Sequence, residues 1–223
     1  MQSAGPTEPS LAGAPFDWRA RIFERLAGST PRHDPSEWLI PGLTVEQSRP
    51  YIPFFPSDPV PAAVLIPLVE RETELTVLLT QRASQLKNHA GQVSFPGGRI
   101  EASDLGPREA ALREAQEEIG LDPQWVSVAG YLPDHVIISG FIVTPVVAFV
   151  RPGFELLLDA GEVEDTFEVP LSFVFEPGNL RRRRRKLPQG DAEIEICDIP
   201  FGDRNIWGAT AGMLVTLYRA TAP

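Results

Sequence analysis

Only one cysteine, Cys197, stands in 223 residues, so no intrachain disulfide can form and a reducing cytoplasm is the expected setting. Apolar runs as long as a membrane helix are missing too. Residues 1–15 lack both the basic start and the apolar stretch of a secretory leader. Positive charge is scarce: 20 Lys and Arg against 30 Asp and Glu leave a net charge of −10. That balance argues against broad binding to nucleic acid or to anionic membrane. What remains, 43% hydrophobic and 22% charged residues, suits one sizeable core with a charged surface.

Residues 1–60 read as an N-terminal arm. Its first fifteen residues, rich in proline and small side chains, are expected to be disordered. A short helix over 16–26 follows, with Trp18, Ile22, Phe23 and Leu26 on an apolar side and Gly28 as its stop. Prolines without any period then predict an extended segment over 31–61. Residues 61–223 read as the domain. Aliphatic density predicts strands over 62–69 and 75–80 around a charged turn. Further strands are expected over 126–132, 142–151 and 167–169, with Pro145 pushing the second of these towards a sheet edge or bulge, and a last helix over 209–219. Strands and helices interleaved in this way give an α/β class, a mixed β-sheet sandwiched between helices.

The segment richest in chemistry is Arg113-Glu114-Ala115-Gln116-Glu117-Glu118-Ile119-Gly120-Leu121. Ala111, Leu112, Ala115 and Ile119 recur at helical spacing, Pro107 suits an early helical position, and Gly120 suits a left-handed exit. On such a helix Glu114 shares a face with Glu117 and Glu118, turned largely away from the apolar stripe. Three carboxylates then converge on one patch. Like charges so close repel unless a cation lies among them, and hard oxygen donors suit Mg²⁺ or Mn²⁺ better than zinc. A merely solvated acidic face would explain neither this clustering nor the paired glycines Gly97 and Gly98 upstream.

Gly98, Asp104, Arg113, Glu114, Glu117, Glu118, Gly120 and Leu121 together resemble the Nudix box, the signature of hydrolases that cleave nucleoside diphosphates linked to another moiety. Two departures are visible. Asp104 stands in place of the first box glutamate, and eight residues rather than seven separate it from Arg113. Upstream, Leu78-Leu79-Thr80-Gln81-Arg82 and His89-Ala90-Gly91-Gln92-Val93-Ser94-Phe95-Pro96-Gly97-Gly98 resemble the coenzyme A pyrophosphatase branch, as do Ser139-Gly140-Phe141, Glu162-Val163 and Ile206-Trp207-Gly208 further on. The resemblance implies a Nudix-type α/β/α sandwich, a divalent ion held by Glu114, Glu117 and Glu118 with the carbonyl of Gly98, and a small nucleotide substrate like coenzyme A.

Roles follow residue by residue. Arg113 is expected to orient carboxylates, and Asp104 to support it through a salt bridge or a helix cap. The general base is expected from Glu162, in a loop outside the box, or from a box glutamate, Glu117 or Glu118, with Glu162 as an extra ligand. Arg82 suits either a substrate phosphate or a surface ion pair, and His89 either a structural bond to the glycine loop or a substrate contact. Gly97 shapes the loop, with Phe95 and Pro96 as packing and turn residues. The run Arg181-Arg182-Arg183-Arg184-Arg185-Lys186 invites an anion-binding reading. A hairpin with a turn at 188–190 would instead pair it with Glu193 and Glu195, and a structural or homodimer role is favoured. Trp207 reads as core. The expected function is metal-dependent hydrolysis of coenzyme A. The same chemistry on ADP-ribose, NADH or a dinucleoside polyphosphate stands as the nearest alternative, and a non-catalytic nucleotide-binding module as a different class.

Overall fold

The computed structural model describes residues 17–187 and 191–222. The expectations for residues 1–15 and for a turn at 188–190 lie outside them. The elements run α1 (Trp18–Leu26), α2 (Val45–Ser48), β1 (Val60–Glu70), β2 (Leu75–Arg82), β3 (Val93–Ser94), β4 (Gly97–Arg99), α3 (Pro107–Ile119), β5 (Val126–Tyr131), β6 (His135–Val136), β7 (Phe141–Val150), β8 (Val163–Pro170), α4 (Leu171–Phe175), β9 (Arg181–Lys186), β10 (Glu193–Phe201), β11 (Arg204–Trp207) and α5 (Gly208–Thr221).

The main sheet is mixed. β1 lies parallel to β7, and β2, β4, β5 and β6 pair antiparallel to one or other of them, with β3 and β8 flanking β2. β1 and β7 form its centre, and alternation along β1 explains why both faces are covered. Ala63, Leu65 and Val69 face α3 with Val146, Ala148 and Val150 of β7, while Ala62, Ile66 and Leu68 face α1, α4 and α5. The architecture is therefore an α/β/α sandwich. Trp18, Phe175 and Tyr218 tie the second helical layer together, with ring centroids 4.7 Å apart for Trp18 and Phe175 and 5.2 Å for Phe175 and Tyr218.

Two local expectations are corrected. Pro145 lies in a central strand, paired across from Val64, rather than at an edge. Its carbonyl accepts from the N–H of Leu132, and its missing N–H faces the same side, where the chain has left β5 and not yet entered β6. In α1, Ile22 and Leu26 are buried, but Phe23 is 54% exposed.

Residues 35–54 contain α2 and two short 3₁₀ turns, where prolines alone suggest an extended path. Thr44 and Gln47 cap α2 reciprocally. Ile40, Leu43 and Phe55 pack with Val136 and Ile142 of the main sheet and with Ile194 and Ile196 of β10. These residues join the main sheet to a separate antiparallel sheet, ordered β11-β10-β9.

Candidate active site

α3 starts at Pro107 and ends where Gly120 adopts φ 69° and donates to the carbonyls of Ala115 and Gln116. Ala110, Ala111, Ala115 and Ile119 bury its inner face. Three alanines at this seam let the helix axis lie close to β1. That closeness decides where the acidic side chains go.

Glu118 is corrected most. Expected on the outer face, it is only 4% exposed. The positions 111, 115 and 118 follow a four-then-three spacing, which lies on the buried stripe as surely as 111, 115 and 119 do. Its Oε2 accepts from the N–H of Gly97 at 3.2 Å, and its Oε1 lies 4.0 Å from Nη1 of Arg82. Burial, opposed by the Gly97 N–H and reinforced by the charge of Glu162, pushes its carboxyl up to about 8. Glu114 is also raised, first by burial, with the Arg113 guanidinium opposing and the charges of Glu117 and Glu162 adding to it. Glu162 precedes β8 and its carbonyl accepts from the N–H of Ala83. It is thus the acid whose field reaches both Glu114 and Glu118 from outside the helix.

The glycines are required by space. β4 is paired to β1, with Gly97 opposite Val64 and Gly98 opposite Ala63. A Cβ on Gly97 would stand 2.4 Å from the carbonyl oxygen of Ala63, and one on Gly98 would stand 2.5 Å from Oε1 of Glu114. Only glycine admits the helix carboxylate so near the main chain.

Arg113 is the hub of the acidic cluster. Its Nε and Nη2 donate to the two oxygens of Asp104 at 3.1 and 3.0 Å, and its Nη1 donates to Glu114 at 2.8 Å and to Glu117 at 3.0 Å. Nη2 also donates to the carbonyl of Arg99. Asp104 is held below the usual carboxylate range by this pair, and Arg113 is raised, chiefly by Asp104. Glu117 keeps 59% of its side chain exposed.

The picture of three carboxylates converging on one point is corrected as well. Among the described residues no three His, Cys, Asp or Glu side chains stand close enough to hold an ion as they are. Repulsion among Glu114, Glu117 and Glu118 is relieved by Arg113 and by the Gly97 N–H, each of which takes a carboxylate in its own direction. The donors themselves fit a hard divalent ion: all are carboxylate oxygens, two of them are raised by burial and mutual charge, and Gly98 leaves the space beside Glu114 open to the main chain.

A cavity of about 580 Å³ adjoins this cluster, its wall including Arg82, Gly97, Gly98 and Arg99. Arg82 has a buried Nε with no hydrogen-bond partner among the described residues. His89 sits at φ 57°, bonds Gln92 at 3.0 Å, and reaches the same wall. Phe95 also lines the cavity, whereas His135 is fully buried against Thr216. Trp207 is the residue that sequence reasoning missed. Expected in the core, it lines the same cavity as the glycines, with the guanidinium carbons of Arg183 and Arg185 at 5.3 and 5.7 Å from its ring centroid. The available signal was its place in Ile206-Trp207-Gly208, one of the segments that carry the resemblance to the coenzyme A branch.

A mixed sheet between helices, with an acidic helix laid against a glycine strand, is the arrangement of a Nudix-type sandwich. Residues 59–189 match the NUDIX domain model, more than half of the chain, and the protein belongs to the Nudix hydrolase family. It is similar to an uncharacterized Nudix hydrolase, NudL, of Citrobacter koseri, 41% identical over 158 residues that make up 69% of this chain and 78% of that protein. The NudL of Enterobacter sp. strain 638 is 39% identical over the same shares. Among solved structures, the Nudix hydrolase RenU from M. smegmatis is 23% identical, with 53% of this chain and 78% of that chain covered at a TM-score of 0.45.

Proposed function

We propose that this Nudix hydrolase cleaves the pyrophosphate bond of coenzyme A or its derivatives, using Mg²⁺ or Mn²⁺, to give 3′,5′-ADP and 4′-phosphopantetheine or its acyl form. The observation that carries the reading is the cavity beside Gly97 and Gly98. Its lining, with Val136, Ile137, Ile138, Phe141 and Met213 among others, is largely apolar. Coenzyme A joins its diphosphate to a long arm that is far less polar than a second nucleoside. ADP-ribose, NADH and dinucleoside polyphosphates would instead set a second ribose against side chains with few hydrogen-bonding groups. The resemblance of the 78–98 segment to the coenzyme A branch points the same way.

Glu114, Glu117 and Glu118, with the carbonyl of Gly98, are the groups that would hold the ion. When bound, it would neutralise diphosphate oxygens and lower the pKa of a water molecule. Arg113 keeps Glu114 and Glu117 pointed along the site and anchors them to Asp104. Arg82, whose Nε has no hydrogen-bond partner among the described residues, meets the diphosphate. Glu162, exposed and within electrostatic reach of Glu114 and Glu118, takes the proton from the attacking water. A box glutamate is the other group able to do so. Glu162→Gln is expected to lower kcat by roughly 10²- to 10⁴-fold with little change in KM, the signature of a lost base. Replacement that left kcat within a few-fold would return that role to Glu117 or Glu118. Glu117→Gln is expected to remove most turnover while leaving the thermal transition in place, because its side chain stands outside the core.

A further inference from the structure

The six consecutive cations of β9 do not form a uniform surface. In the antiparallel register Arg183 faces Ile196 and Arg185 faces Ile194, so these two share the face on which Ile194, Ile196 and Trp207 line the cavity. Arg182 points the other way and pairs with Glu195 at 2.5 Å. On the cavity face Arg183 is neutralised by Asp198 at 2.7 Å. Arg185 is not. Among the described residues it has no carboxylate within ion-pair distance, its cross-strand neighbour is an isoleucine, and it rests on the ring of Trp207 at 5.7 Å while reaching the cavity wall. A protein with a net charge of −10 has many acids with which to pair an arginine. An arginine left unpaired and carried on an indole at a cavity wall is arranged to receive an anion from outside.

We propose that Arg185, positioned by Trp207, binds a phosphate of the substrate remote from the diphosphate that is cleaved. The scissile diphosphate is assigned above to Gly97, Gly98 and Arg82, which line the same cavity from the main sheet. Arg185 enters from the separate sheet, so the anion it meets is a second one. On the reading given above, that anion is the 3′-phosphate of the adenosine half. The inference rests on that reading for the identity of the ligand, but its test is a binding measurement that does not need turnover.

Equilibrium binding of 3′,5′-ADP and of 5′-AMP to the full chain, followed by calorimetry for the parent protein, Arg185→Ala and Arg185→Lys, decides it. The parent is expected to prefer 3′,5′-ADP. Arg185→Ala is expected to cut that preference by on the order of 10- to 100-fold, the worth of a charge-assisted phosphate contact, and Arg185→Lys to restore part of it. Circular dichroism checks that the exposed strand is intact in both variants. Equal affinity of the parent for the two nucleotides, no detectable binding of 3′,5′-ADP, or an equal loss for both in Arg185→Ala would each overturn the assignment. Loss of the preference in a protein that does not hydrolyse coenzyme A would support Arg185 as a phosphate site and count against the proposed reaction alone.

Discussion

Arg113 shows how one residue organises a site that repels itself. Its five donors are spread over Asp104, Glu114, Glu117 and the carbonyl of Arg99, and lysine cannot reproduce that fork. Arg113→Lys is expected to weaken metal-dependent activity by roughly 10- to 100-fold, as losses of groups that orient metal ligands do, and a Mn²⁺ titration of activity should show the midpoint moving to higher concentration. Glu118 gives a second expectation. Its carboxyl, near 4.5 when unfolded, is raised to about 8 in the fold. Between those values the folded chain keeps a proton that the unfolded chain has released. The stability this group contributes is therefore full below the lower value and lost as pH rises through the higher one. In chelator, Tm should fall between about pH 5 and pH 8, Glu118→Gln should flatten that fall, and a divalent ion should raise Tm most at the alkaline end for the parent. An unchanged profile in Glu118→Gln would show that the carboxyl is not the source. Sequence spacing alone marked Glu118 as acidic and clustered. Its burial was legible only by noticing that 111, 115 and 118 share a stripe.

Among elements, the position of α3 matters more than its existence. Pro107, Gly120 and the periodic alanines made the helix and its ends readable. How close it lies to β1 depends on Ala110, Ala111 and Ala115 facing Ala63 and Leu65, a pairing across sequence distance that no local pattern states. Ala111→Leu is expected to cost about 1–3 kcal/mol through overpacking, lowering Tm by roughly 2–4 °C per kcal/mol, and to reduce activity beyond what lost folding explains because the carboxylates shift with the helix. Gly97→Ala tests the strand on the other side. Its Cβ would meet the carbonyl of Ala63, main chain that cannot rotate away, so destabilisation of at least similar size should appear in denaturant melts. Full stability in Gly97→Ala would mean that β4 has room to move. Strand boundaries were mostly within reach of aliphatic density. Pro145 misled because a missing N–H excludes a central strand only when that N–H would have had a partner.

At the scale of the whole molecule, the carboxylate cluster and the cavity are built by different logics. The cluster comes from two neighbouring stretches, Gly97 to Asp104 and the helix α3 that follows, and its residue types were legible as a group. The cavity needs β6 and β7, the segment around Ile40 and Phe55, and the β9–β11 sheet, brought together by a third apolar core. Ser139-Gly140-Phe141 and Ile206-Trp207-Gly208 carry the branch resemblance, but nothing local in them states that they meet at one cavity, which is why Trp207 read as core and Arg185 as part of a surface run. The proposed function requires this cavity and this cluster to act on one substrate. The most direct measurement is product analysis by mass spectrometry after purified protein is incubated with coenzyme A, ADP-ribose and NADH in turn, with Mg²⁺ or Mn²⁺ and again with chelator. The expected result is metal-dependent release of 3′,5′-ADP and 4′-phosphopantetheine from coenzyme A in equal amounts. Cleavage of ADP-ribose or NADH with coenzyme A left intact, or nucleotide binding with no diphosphate turned over at all, would contradict it.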